Sequence, residues 1–578
     1  VRVAGSAEFP LVLDLSPAAT SAQLQLRGTR VAYESRAAAP DLSRLRIEQV
    51  PVAWLQGFLA GLWEEGRWTQ GRLSGRVDIA SPAKTVLEVR GDLQARGLAL
   101  ETPDGLLAAA GVDARLRLGY REFRQSQRID AAIELHGGEL LAKSFYAVLP
   151  RMPVQVQLVA ERTGASANWR LPSLGWRDAG VLQAEGSAAL GAAGELEDLD
   201  LRLDLRDLSV ARDRYLSGFL APAGFADLVL AGGLQAELRM QGGALRSAGA
   251  RLQAVNAVDR NSRFIFAGVD GDLRWTRDGT AVASRLGWDN AALYGIGLGR
   301  ADASFSSADG EFRLSAPTAL EVLGGRLRLD HLHWQAPATG VGTRVDLGLT
   351  LEDLDLASLS QRLGWPAFAG TLGGRIPSAH YQDNVLRFDG GLRMDVFGGS
   401  VGMQHLVMER PFGVAPTLSA DVAIQDVDLE PMTRAFGFGW ITGRMDGRID
   451  QLRLVDWSPA AFEARLETDS AWKGKRRISQ RAVNDISSVG GSGLVAGLQA
   501  RVLALFDDFG YDRIGIGCKL KDNVCRMAGI GSAGDGYIIV AGAGLPRIQV
   551  VGFRRRVDWP TLVARLTAAT EGQTPVIE

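Results

Sequence analysis

Leucine and charge alternate along this chain. In Leu199-Asp-Leu-Arg-Leu-Asp-Leu205 every odd position is leucine and every even one is charged, and Arg326-Leu-Arg-Leu-Asp330 and Ala114-Arg-Leu-Arg-Leu118 follow the same rule. A period of two predicts a β-strand with one apolar and one watery face. Such runs recur about every dozen residues, separated by Gly, Asp-Gly and Pro signals of the kind that turn a chain between strands. Helical spacing is rarer. From Pro51 to Trp63 the apolar residues Val52, Leu55, Phe58, Leu59 and Leu62 stand three and four apart, predicting a short helix with one apolar face.

The pattern also repeats at longer range. Asp353-Leu-Asp-Leu356, Gly364 and Gly370-Thr-Leu-Gly-Gly-Arg-Ile376 return 73 positions later as Asp426-Val-Asp-Leu429, Gly437 and Gly443-Arg-Met-Asp-Gly-Arg-Ile449. Each copy reads as a short strand, one apolar helical turn and a glycine-punctuated strand, and Gly71-Arg-Leu-Ser-Gly-Arg-Val77 repeats the last of these. In the first half, Leu55-Gln-Gly-Phe-Leu-Ala60 returns as Leu216-Ser-Gly-Phe-Leu-Ala221, 161 positions on. Ala110-Gly-Val-Asp113 returns as Ala267-Gly-Val-Asp270, 157 positions on. Gly-Gly pairs open alternating strands at Gly137, Gly324 and Gly398. Repetition on this scale predicts a supersecondary unit stacked on copies of itself. The expected architecture is a mainly β, elongated repeat array forming a long twisted sheet groove. A long repeat would cover about residues 40–320, and the 73-residue repeat about 320–470.

After residue 470 the organisation changes, and residues 471–578 read as an α+β cap closing the array's last edge. Lys473, Lys475, Arg476, Arg477 and Arg481 form the one notable basic cluster. An amphipathic helix is expected from Leu494 to Phe509, with Leu498, Val502, Leu505, Phe506 and Phe509 on its face and Gly510 closing it. Strands Tyr537 to Val540 and Arg547 to Phe553 follow, and Asp558-Trp-Pro560 opens a last helix.

Composition narrows the function classes. Gly is 70 of 578 residues, above the usual ~7 % and in keeping with many tight turns. A net charge of −2 supplies no long-range field for nucleic acid. No apolar window reaches the ~18 residues of a spanning helix, and the abrupt start at Val1 is compatible with an upstream anchor or leader having been removed.

The cysteines, Cys518 and Cys525, flank Lys521-Asp-Asn523, a turn signal that would place them on facing strands of a hairpin. A disulfide there would imply an oxidising compartment; two buried free thiols are the alternative. Gly529-Ile-Gly-Ser-Ala-Gly534 matches a dinucleotide fingerprint, but strand-like Tyr537-Ile-Ile-Val540 follows where a helix N-terminus is required, so these are turn glycines. His331 and His333 share a strand face without an evident third metal ligand. No nucleophile elbow or phosphate loop occurs, and the carboxylates fall on watery strand positions. No enzyme activity, cofactor or metal is expected. The basic cluster is most often a solvated face; a membrane headgroup contact by Lys473, Lys475, Arg476 and Arg477 is the sharper alternative.

Taken together, the D-x-D-L unit, the G-x-L-x-G-x-I strand and the Gly-Gly-opened strands resemble the AsmA-like superfamily of Gram-negative envelope proteins, which includes the TamB, YhdP and YdbH types. The resemblance runs over roughly residues 40 to 560 and is strongest from Gly324 to Asp450 and through the cysteine hairpin. It implies a periplasmic conduit, anchored in the inner membrane through a segment not in this chain, that shields phospholipid acyl chains on their way to the outer membrane or a partner there. On that reading Leu199, Leu201, Leu203, Leu205, Leu327 and Leu329 line the groove. The rival is a scaffold for outer-membrane or secreted protein assembly that works by pairing strand edges; a glycan-active solenoid is a third reading.

Overall fold

The computed structural model describes residues 2–4, 11–16, 18–26, 28–59, 66–83, 85–164, 168–192, 194–337, 342–362, 369–411, 413–490 and 506–570. The fold is mainly β. Strand follows strand in antiparallel order, with a few short helices between them, and among the described residues no pairing closes the sheet into a barrel. The chain divides into two compact units, Val1–Asp289 with Ser306–Gly310, and Asn290–Phe305 with Glu311–Glu578.

Sequence neighbours pair almost throughout. In the first unit Arg67–Ala83 pairs with Val86–Glu101, that strand with Leu107–Phe123, and that one in turn with Ser126–His136. The hairpin Glu139–Ala142 and Phe145–Val148 then folds back on the start of Leu107–Phe123, while Val154–Thr163 continues the sheet beside Ser126–His136.

The 73-residue repeat has a physical basis in a bulge followed by a cap. Asp353 and Asp426 both take a φ of 52°, and the strand register skips across each, from Leu351 to Leu354 and from Ile424 to Val427. Aspartate tolerates this left-handed conformation better than most residues, so it is a natural choice for a bulge. Two positions later the second aspartate caps a helix. Asp355 accepts the amides of Ala357 and Ser358, and Asp428 accepts the amide of Glu430. Caps of this kind are worth about 1 kcal/mol each. The leucine that follows, Leu356 or Leu429, is buried beneath its own helix, Leu356–Arg362 or Leu429–Ala435. The second glycine of each Gly-Gly pair fits against the bulge: a Cβ on Gly325 would lie 2.4 Å from the Glu352 carbonyl, and one on Gly399 2.4 Å from that of Asp426. Gly364, part of the first copy, lies outside the described residues.

The predicted helix at Pro51 appears as a 3₁₀ turn, Val52–Leu55, continued by the helical turn Gln56–Leu59; Leu62 and Trp63 lie outside the described residues. Its repeat partner is the turn Ser217–Leu220.

At the C-terminal end the sheet wraps a closed core. Ile478, Phe509, Tyr511, Tyr537, Val540 and Leu562 pack together there, under the helices Gln480–Gly490 and Trp559–Thr570. The last helix starts where the sequence placed it, with Asp558 accepting the Thr561 amide at 3.0 Å. The expected helix from Leu494 to Phe509 needs correction at its described end. Phe506 precedes, and Phe509 and Gly510 belong to, the strand Asp508–Lys521, while Leu494, Leu498, Val502 and Leu505 lie outside the described residues. Phe509 pairs with Ile478 and is buried. Gly510 is not a helix stop: a Cβ there would meet the Ala543 carbonyl at 2.7 Å, so glycine serves close strand approach.

Candidate functional site: an apolar strand face

Strand register turns scattered leucines into continuous lines. In the first unit direct cross-strand partners run Leu13, Ala22, Tyr33, Leu45, Val77, Gly91 and Leu118. The same line goes on through Ala131, Leu158, Leu174, Gly186, Leu201, Leu238, Ala248 and Trp275. A parallel line two residues over holds Leu24, Val31, Ile47, Gly75, Leu93, Leu116 and Ile133. It continues through Val156, Trp176, Ala184, Leu203, Ala236, Ala250 and Leu273. No charged side chain interrupts either line.

The second unit has an equivalent line. Leu320, Leu327, Leu351, Gly374, Leu392 and Met403 are successive partners, followed by Val422, Ile449, Ala464, Cys518 and Met527. Leu329 stands beside it, opposite Leu349.

Leu199, Leu201, Leu203, Leu327 and Leu329 are all half-buried; Leu203 packs against the cluster around Leu205 and Tyr215, and Leu327 against the one around Leu354 and Leu356. Leu205 differs: it is 4 % exposed and packs with Leu208, Ala211 and Tyr215 under the helical segment that begins at Leu208. That segment is pinned to the sheet by the buried Asp178, which accepts a hydrogen bond from the Tyr215 hydroxyl at 2.8 Å and pairs with Arg214 at 2.6 Å. Burial raises the Tyr215 hydroxyl pKa above its ordinary value, so it stays a neutral donor.

On the opposite face the charges pair across strands: Arg44 with Asp78 at 2.8 Å, Arg121 with Glu88 at 2.9 Å and Arg239 with Asp200 at 3.1 Å. Exposed pairs such as these contribute roughly 0–1 kcal/mol each. Their main effect is to keep the charged side chains on this face and off the apolar one.

The cysteines are joined. Cys518 and Cys525 form a disulfide with Cα atoms 5.6 Å apart, across a hairpin whose turn residues Asp522 and Asn523 have φ of 52° and 58°. Cys525 is fully buried, and Cys518 lies on the apolar line. The basic cluster is divided between two uses. Arg476 donates to the carbonyls of Asp469, Ser470 and Trp472, and Arg477 pairs with Asp508, whereas the Lys473 and Lys475 side chains are exposed.

His331 and His380 both contact Asp346, at 2.7 and 2.6 Å, on the polar face. Among the described residues no group of three or more His, Cys, Asp or Glu is arranged to hold a metal ion. The turn-glycine reading of Gly529–Gly534 agrees with the short strand Gly531–Ala533, which forms a hairpin with Gly536–Gly542. Among the described residues no helix is long and apolar enough to cross a membrane. Compared with known proteins, the chain matches no family model and no curated protein.

Proposed function

We propose that the apolar strand faces carry the acyl chains of phospholipid between the inner and outer membranes of a Gram-negative envelope. The observation that supports this reading is the uninterrupted apolar register line in each unit, most of whose side chains are half-buried rather than enclosed. An acyl chain costs about 0.8 kcal/mol per CH₂ to expose, so a sixteen-carbon tail leaving a membrane faces a barrier on the order of 10 kcal/mol. A strand face lined with Leu, Val and Ala side chains removes much of that cost at every step without catalysis. The disulfide fits an oxidising compartment such as the periplasm. Anchoring in the inner membrane belongs, on this reading, to a segment outside this chain, and delivery to the outer membrane or a partner in it. On this reading Lys473 and Lys475, whose side chains are exposed, are the basic residues free to touch headgroups, since Arg476 and Arg477 are occupied.

The test is mass spectrometry of lipid retained by the chain after purification in mild detergent. Phospholipid bound in stoichiometric amounts is expected. A lipid-free, folded protein that also fails to extract lipid from vesicles contradicts the proposal.

A further inference from the structure

The apolar lines of the first unit have a polar border. Beside them runs Val89, Tyr120, Ile129 and Ala160, and the next line outward is Leu87, Glu122, Gln127 and Arg162. Arg162 and Glu122 therefore point to the apolar side of the sheet, whereas the paired arginines described above lie on the other side. The Arg162 guanidinium stands 4.9 Å from the centre of the Trp169 ring and donates to the Gln127 side-chain carbonyl from Nε at 3.1 Å and Nη2 at 2.5 Å. Glu122 accepts a hydrogen bond from the Tyr120 hydroxyl at 2.8 Å. Both charged residues are half-buried, and among the described residues neither has an ion-pair partner.

An arginine held by a neutral amide and an aromatic ring keeps its charge available to an anion. Phosphate suits it, because the planar fork offers several donors to tetrahedral oxygens. The carboxylate two strands away, with its backbone about 10 Å from that of Arg162, suits a cation. The guanidinium reaches inward to Gln127, shortening the gap that a head carrying both charges must bridge.

We infer that Arg162 and Glu122 form a headgroup site for a zwitterionic phospholipid, Arg162 taking the phosphate and Glu122 the ammonium while the tails lie on the adjoining apolar lines. This inference rests on the proposal that the apolar face holds acyl chains. It adds a preference that the lines of leucine alone would not produce.

The experiment offers the full chain vesicles of phosphatidylethanolamine, phosphatidylglycerol and diacylglycerol with identical tails, and weighs the lipid extracted. The native protein is expected to favour phosphatidylethanolamine over both others. Arg162→Gln should lower its advantage over diacylglycerol roughly ten-fold, the scale of one charge-assisted hydrogen bond, and Arg162→Lys should recover part of it. Glu122→Gln should bring the ethanolamine-to-glycerol ratio close to one without reducing total lipid. Thermal melting of each variant, expected to match the native protein, separates these effects from misfolding. Lipid uptake with no headgroup preference, or with a preference that both substitutions leave intact, overturns the site while the acyl-chain reading stands. No uptake of any lipid by the native chain overturns both.

Discussion

The Asp270 carboxylate accepts the backbone amide of Ala254 at 3.0 Å, across from a strand residue held at a φ of 46°. Asp113 does the same for Gly97, at 2.8 Å, 157 positions earlier. The recurring Ala-Gly-Val-Asp is thus the sequence trace of a bulge clamp: the bulged amide has lost its ladder partner, and a side chain from the next strand replaces it.

Asp270→Ala should therefore cost about 0.5–1 kcal/mol, the net worth of a hydrogen bond whose exposed amide water can still satisfy. Gly75→Ala should cost more, because its Cβ would lie 2.2 Å from the Asp92 carbonyl at a φ of +147°. Gly402→Ala is the control, with nothing within 4 Å of the added carbon. Thermal melting of the three variants should rank them Gly75, Asp270, Gly402 from most to least damaging; equal midpoints would contradict the clamp account.

Much of this was legible beforehand and some was not. Alternation placed Leu199 to Leu205 on a strand with its leucines on one side, because a period of two needs no knowledge of partners. The 73-residue repeat placed a strand, a helical turn and a second strand in both copies, as found in Leu356–Arg362 before Gly370–Gln382 and Leu429–Ala435 before Arg444–Val455; the bulges at Asp353 and Asp426 and the aspartate caps show only in the backbone. What stayed hidden depends on register. Leu201 lies opposite Leu238, and Glu122 shares a line with Arg162, only because of strand pairing that single-strand periodicity does not encode. Leu205 reads like its three neighbours, yet a helix covers it. The helix Gln480–Gly490 was overlooked although it carries a signal: Ser479 accepts the Ala482 amide at 3.2 Å, and Ala482 and Val483 are buried. The helical spacing of Leu505, Phe506 and Phe509 misleads, because Phe509 belongs to a strand.

The disulfide should be complete in protein freshly isolated from the cells that make it. Alkylation in denaturant before reduction is expected to label neither Cys518 nor Cys525, since both sulfurs are taken up in the disulfide; denaturant is needed because Cys525 is buried. Replacing both by serine removes a link across a sequence separation of 7. Chain entropy for so short a loop gives a loss of about 2.5 kcal/mol. Labelling of both thiols in freshly isolated protein would remove the compartment argument.

Acid should weaken the first unit partly through Asp259. A side-chain hydrogen bond from Arg263 holds its carboxyl below the usual range, against the opposing effect of burial. A folded pKa below the unfolded one contributes stability that is complete above the unfolded value of about 3.9 and is lost as pH falls through the folded value. Asp259→Asn should therefore lower the melting temperature at neutral pH and make it less sensitive to acid below pH ~4. A melting curve whose acid dependence is unchanged by the substitution would show that the pair contributes nothing to this titration.

Lipid contact along the apolar line is the central claim, and site-specific photocrosslinking tests it most directly. A photoreactive amino acid is placed at Leu201, on the half-buried line, at Leu205, beneath the helix, and at Arg202, on the polar face. The chain is then irradiated in the presence of phospholipid vesicles. Lipid adducts are expected at position 201 and not at 202 or 205. Leu201→Asp, which sets a charge in the path at a cost of several kcal/mol if it stays desolvated, should abolish lipid binding while the protein still melts cooperatively. Adducts to protein rather than lipid at position 201, or lipid binding that survives Leu201→Asp, would contradict the account and favour a scaffold that acts through strand edges.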